Sequence, residues 1–347
     1  MGVWSSVTHT PERQYAFIAH AIEFYKVEMF AIEEGRTVRL EIPLDAEFSG
    51  VFKNQMLIQL KSTWEVGDVL YPQGALISTD YDRFLDGDRA FTVVVAPDDR
   101  NSISQTGTTR DLLVVNMLSN IRGELFEYSF QDGAWSHRRV DAPINGTIHL
   151  SSLDSDSNRY LFYFESFIQP RSLFYVEDGG EAPRVLKRLP DFFDTSGLIV
   201  DQFETASKDG VKIPYFVVRK EGAASPAPTL LYGYGGFEIS MQPGYSPTVG
   251  SAWLEQGGVY AVANIRGGGE FGPAWHQAGL KENRQRCFDD FAAVAEDLAA
   301  RGITTAKQLG IRGGSNGGLL VGLTFTQRPD LYNAVVCGRT ASGYEAL

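Results

Sequence analysis

The chain has 347 residues, room for two or more domains, and its 43% hydrophobic and 21% charged residues are the balance of a globular protein. A net charge of −12 disfavours nucleic acid and anionic membrane as partners, because both select a basic surface. Two cysteines, Cys287 and Cys337, are too few for a disulfide framework and fit a reducing compartment. No apolar run approaches the ~18 residues of a membrane span, and the N-terminus lacks the basic-then-apolar layout of a signal peptide, so a cytoplasmic location is expected.

Residues 1–190 read as short strands. Apolar or alternating runs fall at Gln14–His20, Phe24–Ile32, Arg36–Ile42, Gln55–Leu60, Phe91–Ala96, Leu112–Asn116 and Tyr160–Glu165, with Gly, Asp, Asn and Pro between them and no helical period of useful length. A repeat underlies them. EMFAIEEGRTVRLEIP, GELFEYSFQDGAWSHRRVDAP and RSLFYVEDGGEAPRVLKRLP each give a strand, a Gly-containing turn, a second strand and a proline, and GALISTDYDRFLDGDRAFTVVVAP is a looser copy. The candidate core positions Phe30, Ile77, Phe126 and Phe174 are 47, 49 and 48 residues apart, and each unit closes on Pro43, Pro97, Pro143 or Pro190. A period near 48 with about four strands per unit is the pattern of a β-propeller. A β-sandwich with chance spacing is the alternative.

The rhythm changes after Pro190. Leu198–Ala206 and Lys212–Lys220 form a hairpin turning at Lys208-Asp-Gly210. Two strands running into Gly-rich turns follow, in TLLYGYGGF and GVYAVANIRGGGEFG. RCFDDFAAVAEDLAARG is an amphipathic helix with Phe288, Phe291, Val294, Ala295 and Leu298 on one face. QLGIRGG is the next strand, NGGLLVGLTFTQ the next helix and NAVVCG a further apolar strand, an alternation that predicts a mostly parallel α/β sheet. Bland readings hold elsewhere. Gly267-Gly-Gly269 lacks the Lys-Ser/Thr of a phosphate loop, Asp289 and Asp290 open a helix favourably for its dipole, His276 and Trp275 are structural, and Cys337 is an inert thiol on a buried strand.

Gly313-Gly-Ser-Asn-Gly317 matches G-x-S-x-G, with a strand before it and a helix after it. That turn would lift the Ser315 hydroxyl above the sheet and aim the Asn316 N–H at a developing oxyanion. Ser315 is therefore the expected nucleophile.

Together, LYGYGGF, ANIRGGGEFG, FDDF, GGSNGGLLVG and QRPDL resemble the prolyl oligopeptidase family of serine peptidases, continuously from about Phe203 to Cys337. The resemblance implies a fold of two parts: a partial β-propeller, about four blades of a seven-bladed ring, at 1–192, and the N-terminal half of an α/β-hydrolase domain at 193–347. It implies cleavage of short peptides after proline through an acyl-enzyme. Tyr234 then matches the tyrosine whose hydroxyl completes the oxyanion hole, and Asn316 and Phe237 match positions lining the pocket for the residue before the scissile bond. The partner is a short peptide substrate, with no cofactor and no metal.

The machine reads as incomplete. An α/β-hydrolase triad follows the order Ser, acid, His, whereas His9, His20, His137, His149 and His276 all precede Ser315, and Asp330 lies in an early helix-to-strand connection. The tail Gly338–Leu347 departs from the family pattern. The chain is thus expected to be an internal fragment, inactive alone for want of the triad Asp and His, with a periplasmic parent left open by the missing N-terminus. A non-catalytic binding module and a hydrolase of other acyl specificity are the alternatives.

Overall fold

The computed structural model describes residues 2–10, 13–180 and 182–340. Residues 341–347, most of the divergent tail, lie outside the described residues.

Four four-stranded antiparallel sheets follow one another along the first part of the chain. The first runs Val3–His9, Gln14–Glu23, Lys26–Glu33 and Arg36–Arg39. The second runs Glu47–Phe52, Gln55–Gln59, Leu76–Asp80 and Thr92–Val95, and carries an inserted ribbon, Trp64–Val66 with Val69–Tyr71. The third spans Asn101–Arg139 and the fourth Thr147–Arg188. Each is a blade. Phe30, Ile77, Phe126 and Phe174 all fall on the third strand of their sheets, which is why the 48-residue period is visible in the sequence.

Alternation along each strand sends neighbouring side chains to opposite faces, so an inner blade packs on two partners. Met56, Ile58 and Ile77 of the second blade meet Phe17 and Ala31 of the first. Leu57 and Leu76, on its other face, meet Leu113 and Val115 of the third. Val114 and Leu125 of the third meet Ile148, Phe162 and Phe174 of the fourth. Several expectations are corrected here. Phe30 and Phe126 are only half-buried, because Met29 and Ala31, and Leu125, hold the core side of their strands. Phe24 and Tyr25 form a hairpin turn and not the start of a strand. A short helix, Tyr81–Leu85, follows the third strand of the second blade, capped by the Asp80 side chain on the Arg83 N–H.

A six-stranded sheet makes the second part, in the order Leu198–Ala206, Lys212–Lys220, Val259–Ala263, Thr229–Tyr232, Leu309–Ser315, Ala334–Thr340. The first two pairings are antiparallel and the other three parallel. Tyr215 and Val217 face a core that the helix Gln285–Ala300 closes with Phe288, Phe291, Val294, Ala295 and Leu298. Phe216 and Val218 face the other way, toward Ile121 and Phe167 of the blades. Cys337 is exposed and not buried: its strand is the edge of the sheet, and Val335 and Val336 are exposed beside it.

Asp290 also differs from expectation. It lies in the second turn of its helix, fully buried, and holds the Arg266 guanidinium through two oxygens at 2.6 and 2.9 Å. The Asp290 carboxylate also accepts from the Ser207 hydroxyl, and Asp209 takes the outer nitrogens of Arg266. Asp289 accepts from Gln285 one turn earlier.

Candidate active site

The strand Leu309–Ser315 passes directly into the helix Asn316–Gln327. Ser315, at the junction, has φ 54° and ψ −120°, a strained conformation for a residue with a β-carbon, and its side chain is exposed. The flanking glycines are sterically required. A β-carbon on Gly313 would lie 2.0 Å from the Gly317 carbonyl oxygen, and one on Gly317 would lie 2.8 Å from that of Gly233. This is the elbow that the motif predicts, with the serine lifted clear of strand and helix. The Asn316 N–H opens the helix and has no intrahelical acceptor.

Tyr234 follows the neighbouring strand Thr229–Tyr232 and is half-buried. Its ring lies against the elbow, with Cδ2 3.6 Å from where a Gly317 β-carbon would stand. Its carbonyl accepts from the Asn316 side chain at 2.6 Å. The fold thus brings the adjacent Ser315 and Asn316 together with Tyr234 from a separate stretch of sequence. Asn316 is fully buried, its side-chain amide held between the Tyr234 carbonyl and the Arg284 guanidinium. Phe237 is half-buried, has φ 55°, and packs on Phe24 of the first blade with ring centroids 5.8 Å apart.

Sequence reasoning missed several residues here. Arg284, just before the helix Gln285–Ala300, donates to the Gly235 carbonyl at 2.5 Å and to Asn316 Oδ1 at 2.6 Å. From the blades, Tyr25 packs edge-on against His276, and Lys61 pairs with Glu238 at 3.0 Å. Burial, reinforced by the Glu238 carboxylate and opposed by Arg284, pushes the Tyr25 phenol up. No local signal in the sequence marks these contacts, since each joins residues far apart along the chain.

Of the histidines, His276 is buried, with Nδ1 between the Glu238 N–H and the Gly267 carbonyl at 3.0 and 2.8 Å. Among the described residues no histidine hydrogen-bonds Ser315. Burial pushes the Cys287 thiol up to about 11, which makes it a packing group beneath Gly267 and Gly279. Three cavities, of about 740, 580 and 410 Å³, open along the seam between blades and sheet; the smallest is lined by Phe237, Glu238 and Lys61, and Ser315 lines none of them.

Blades packed against an α/β sheet whose elbow presents a serine define the class: a β-propeller joined to a sheet of the α/β-hydrolase fold. The family model for the prolyl oligopeptidase N-terminal β-propeller domain matches residues 68–188, and that for the prolyl oligopeptidase family matches residues 245–343. The chain belongs to the prolyl oligopeptidase family. It is 44% identical to an uncharacterized peptidase of Sinorhizobium fredii, over 91% of this chain and 45% of that protein. It is 39% identical to a prolyl endopeptidase of Elizabethkingia miricola, over 56% of this chain and 28% of that one. A solved structure described as a post-proline cleaving enzyme from Rickettsia typhi superposes with a TM-score of 0.91 at 29% identity, covering 97% of this chain and 50% of the other. The chain spans about half the length, or less, of the relatives it matches.

Proposed function

We propose that Ser315 is the nucleophile of a serine peptidase that cleaves short peptides after proline through an acyl-enzyme. The observation that carries the reading is the strained, exposed Ser315 at a strand-to-helix elbow whose glycines admit no side chain. The names of the relatives and of the similar structure support the post-proline class. In this reading the Ser315 Oγ attacks the carbonyl carbon of the scissile bond. The Asn316 N–H and the Tyr234 hydroxyl donate to the oxyanion, each worth on the order of 3 kcal/mol in the transition state. Phe237 contributes to the pocket for the residue before the scissile bond.

Attack also needs a base to take the Ser315 proton and an acid to orient that base. All five histidines precede Ser315, and His276 is committed to the loop scaffold. These 347 residues therefore supply the nucleophile and the oxyanion donors, and alone they do not turn peptides over. In this reading the propeller part ends at 192, the hydrolase part begins at 193, and the protein works in the cytoplasm, with the periplasm as the alternative. No helix among the described residues is long and apolar enough to cross a membrane.

The test uses a fluorogenic Gly-Pro substrate with the full product of the gene encoding these residues, and with the 347 residues alone. Turnover by the gene product, lost about 10⁴-fold or more in Ser315→Ala, and none by the 347 residues, is expected. Undiminished turnover in Ser315→Ala contradicts the nucleophile assignment. Turnover by the 347 residues contradicts the missing base. Hydrolysis of acyl-amino acids or esters without Gly-Pro cleavage contradicts the post-proline class.

A further inference from the structure

Among the described residues, Arg284 is a cation without a counter-ion. No carboxylate among the described residues lies within ion-pair distance of it, although the chain has 43 acidic residues. Its guanidinium is half-buried, and Nε is buried with no hydrogen-bond partner. The other two nitrogens are spent on neutral acceptors: the Gly235 carbonyl at 2.5 Å and Asn316 Oδ1 at 2.6 Å. The same Asn316 amide donates through Nδ2 to the Tyr234 carbonyl at 2.6 Å. Gly236 leaves room for this, since a β-carbon there would lie 2.5 Å from Asn316 Nδ2. One planar fork therefore ties the loop carrying the Tyr234 hydroxyl to the residue whose N–H opens the elbow helix.

We propose that Arg284 is a positioning residue for the oxyanion site, fixing the Tyr234 hydroxyl relative to the Asn316 N–H by clamping Gly235 and Asn316 together. The proposal rests on the reading of Ser315 as nucleophile. Two donors act on one oxygen only if their separation is held, and a misplacement of about 1 Å costs roughly 10²-fold in rate. Arg suits this better than Lys, because its rigid fork serves two acceptors in one plane.

The experiment measures kcat and KM for a Gly-Pro substrate in the full gene product. Arg284→Met is expected to lower kcat about 10- to 100-fold and leave KM within about twofold, because the clamp acts on the transition state and not on ground-state binding. Arg284→Lys is expected to recover part of the loss and serves as the test if Arg284→Met does not fold. Tyr234→Phe with Arg284→Met is expected to be no slower than the slower single variant, since both act through one donor. Wild-type kcat in folded Arg284→Met or in Arg284→Lys, or losses that multiply in the double variant, overturns the proposal alone. A wild-type protein without turnover, or a Ser315→Ala variant with it, overturns the serine-peptidase reading and this proposal together.

Discussion

Glu270 carries its carboxyl wholly out of water, with Oε1 accepting from the Met241 N–H and the Asn264 side chain and Oε2 without a partner. Burial pushes the group up to about 7, against those two hydrogen bonds, which pull it down. The neutral form is thus the one the fold favours. Its stabilising effect is complete below the unfolded value near 4.5 and is lost as pH rises through about 7. At one pH unit per 1.36 kcal/mol, the loss is on the order of 3 kcal/mol. Glu270→Gln keeps the shape and cannot ionise, so its denaturant midpoint should exceed wild type above pH 7 and approach it near pH 4.5. Parallel pH profiles for the two proteins would contradict this. GGGEFG marked the segment in the sequence, but not the ionisation: the desolvation comes from packing that local sequence does not encode.

Arg266 and Asp290 show the same limit between elements. The FDDF segment was legible as helix, and the spacing of Phe288 and Phe291 gave its buried face correctly. The side chains of Asp289 and Asp290 read as helix-dipole carboxylates because the partner of Asp290 lies 24 residues upstream, on the loop after Val259–Ala263. That ion pair joins the hairpin turn at Asp209, the Gly-rich loop and the helix. Arg266→Met should cost about 3–5 kcal/mol in denaturant unfolding, since it strands a buried charge. Arg266→Met with Asp290→Leu should regain most of that, and a single-variant loss below about 1 kcal/mol would contradict the account. The elbow lies at the opposite extreme. Its strand, serine and helix were all readable because the glycines that steric collision requires are adjacent in the sequence. Phe24 and Tyr25 read as strand because aromatic residues favour strands, yet they serve as a hairpin tip against Phe237 and His276.

At the scale of the molecule, the blades and the hydrolase sheet share one apolar cluster, in which Ile121 and Phe167 meet Phe216, Val218 and Phe271. Polar contacts follow the same seam: Ser102 donates to the Glu270 carbonyl, Thr147 to that of Pro243, and Gln73 to the Gln277 side chain. Blade two also reaches the loop after Tyr234 through Lys61 and Glu238. The propeller therefore braces the segment that carries Tyr234, while the sheet and its elbow helix carry Ser315 and Asn316. The repeat announced the blades. It could not announce this docking, which depends on which blade edges face the Gly-rich loops. The central claim is that the strained serine between those loops is the nucleophile. Its most direct test is mass mapping of the adduct after the full gene product is inhibited with a fluorophosphonate. One phosphonyl group on the peptide containing Ser315, absent in Ser315→Ala, is the expected result. Inhibition with the adduct on another residue would contradict the account.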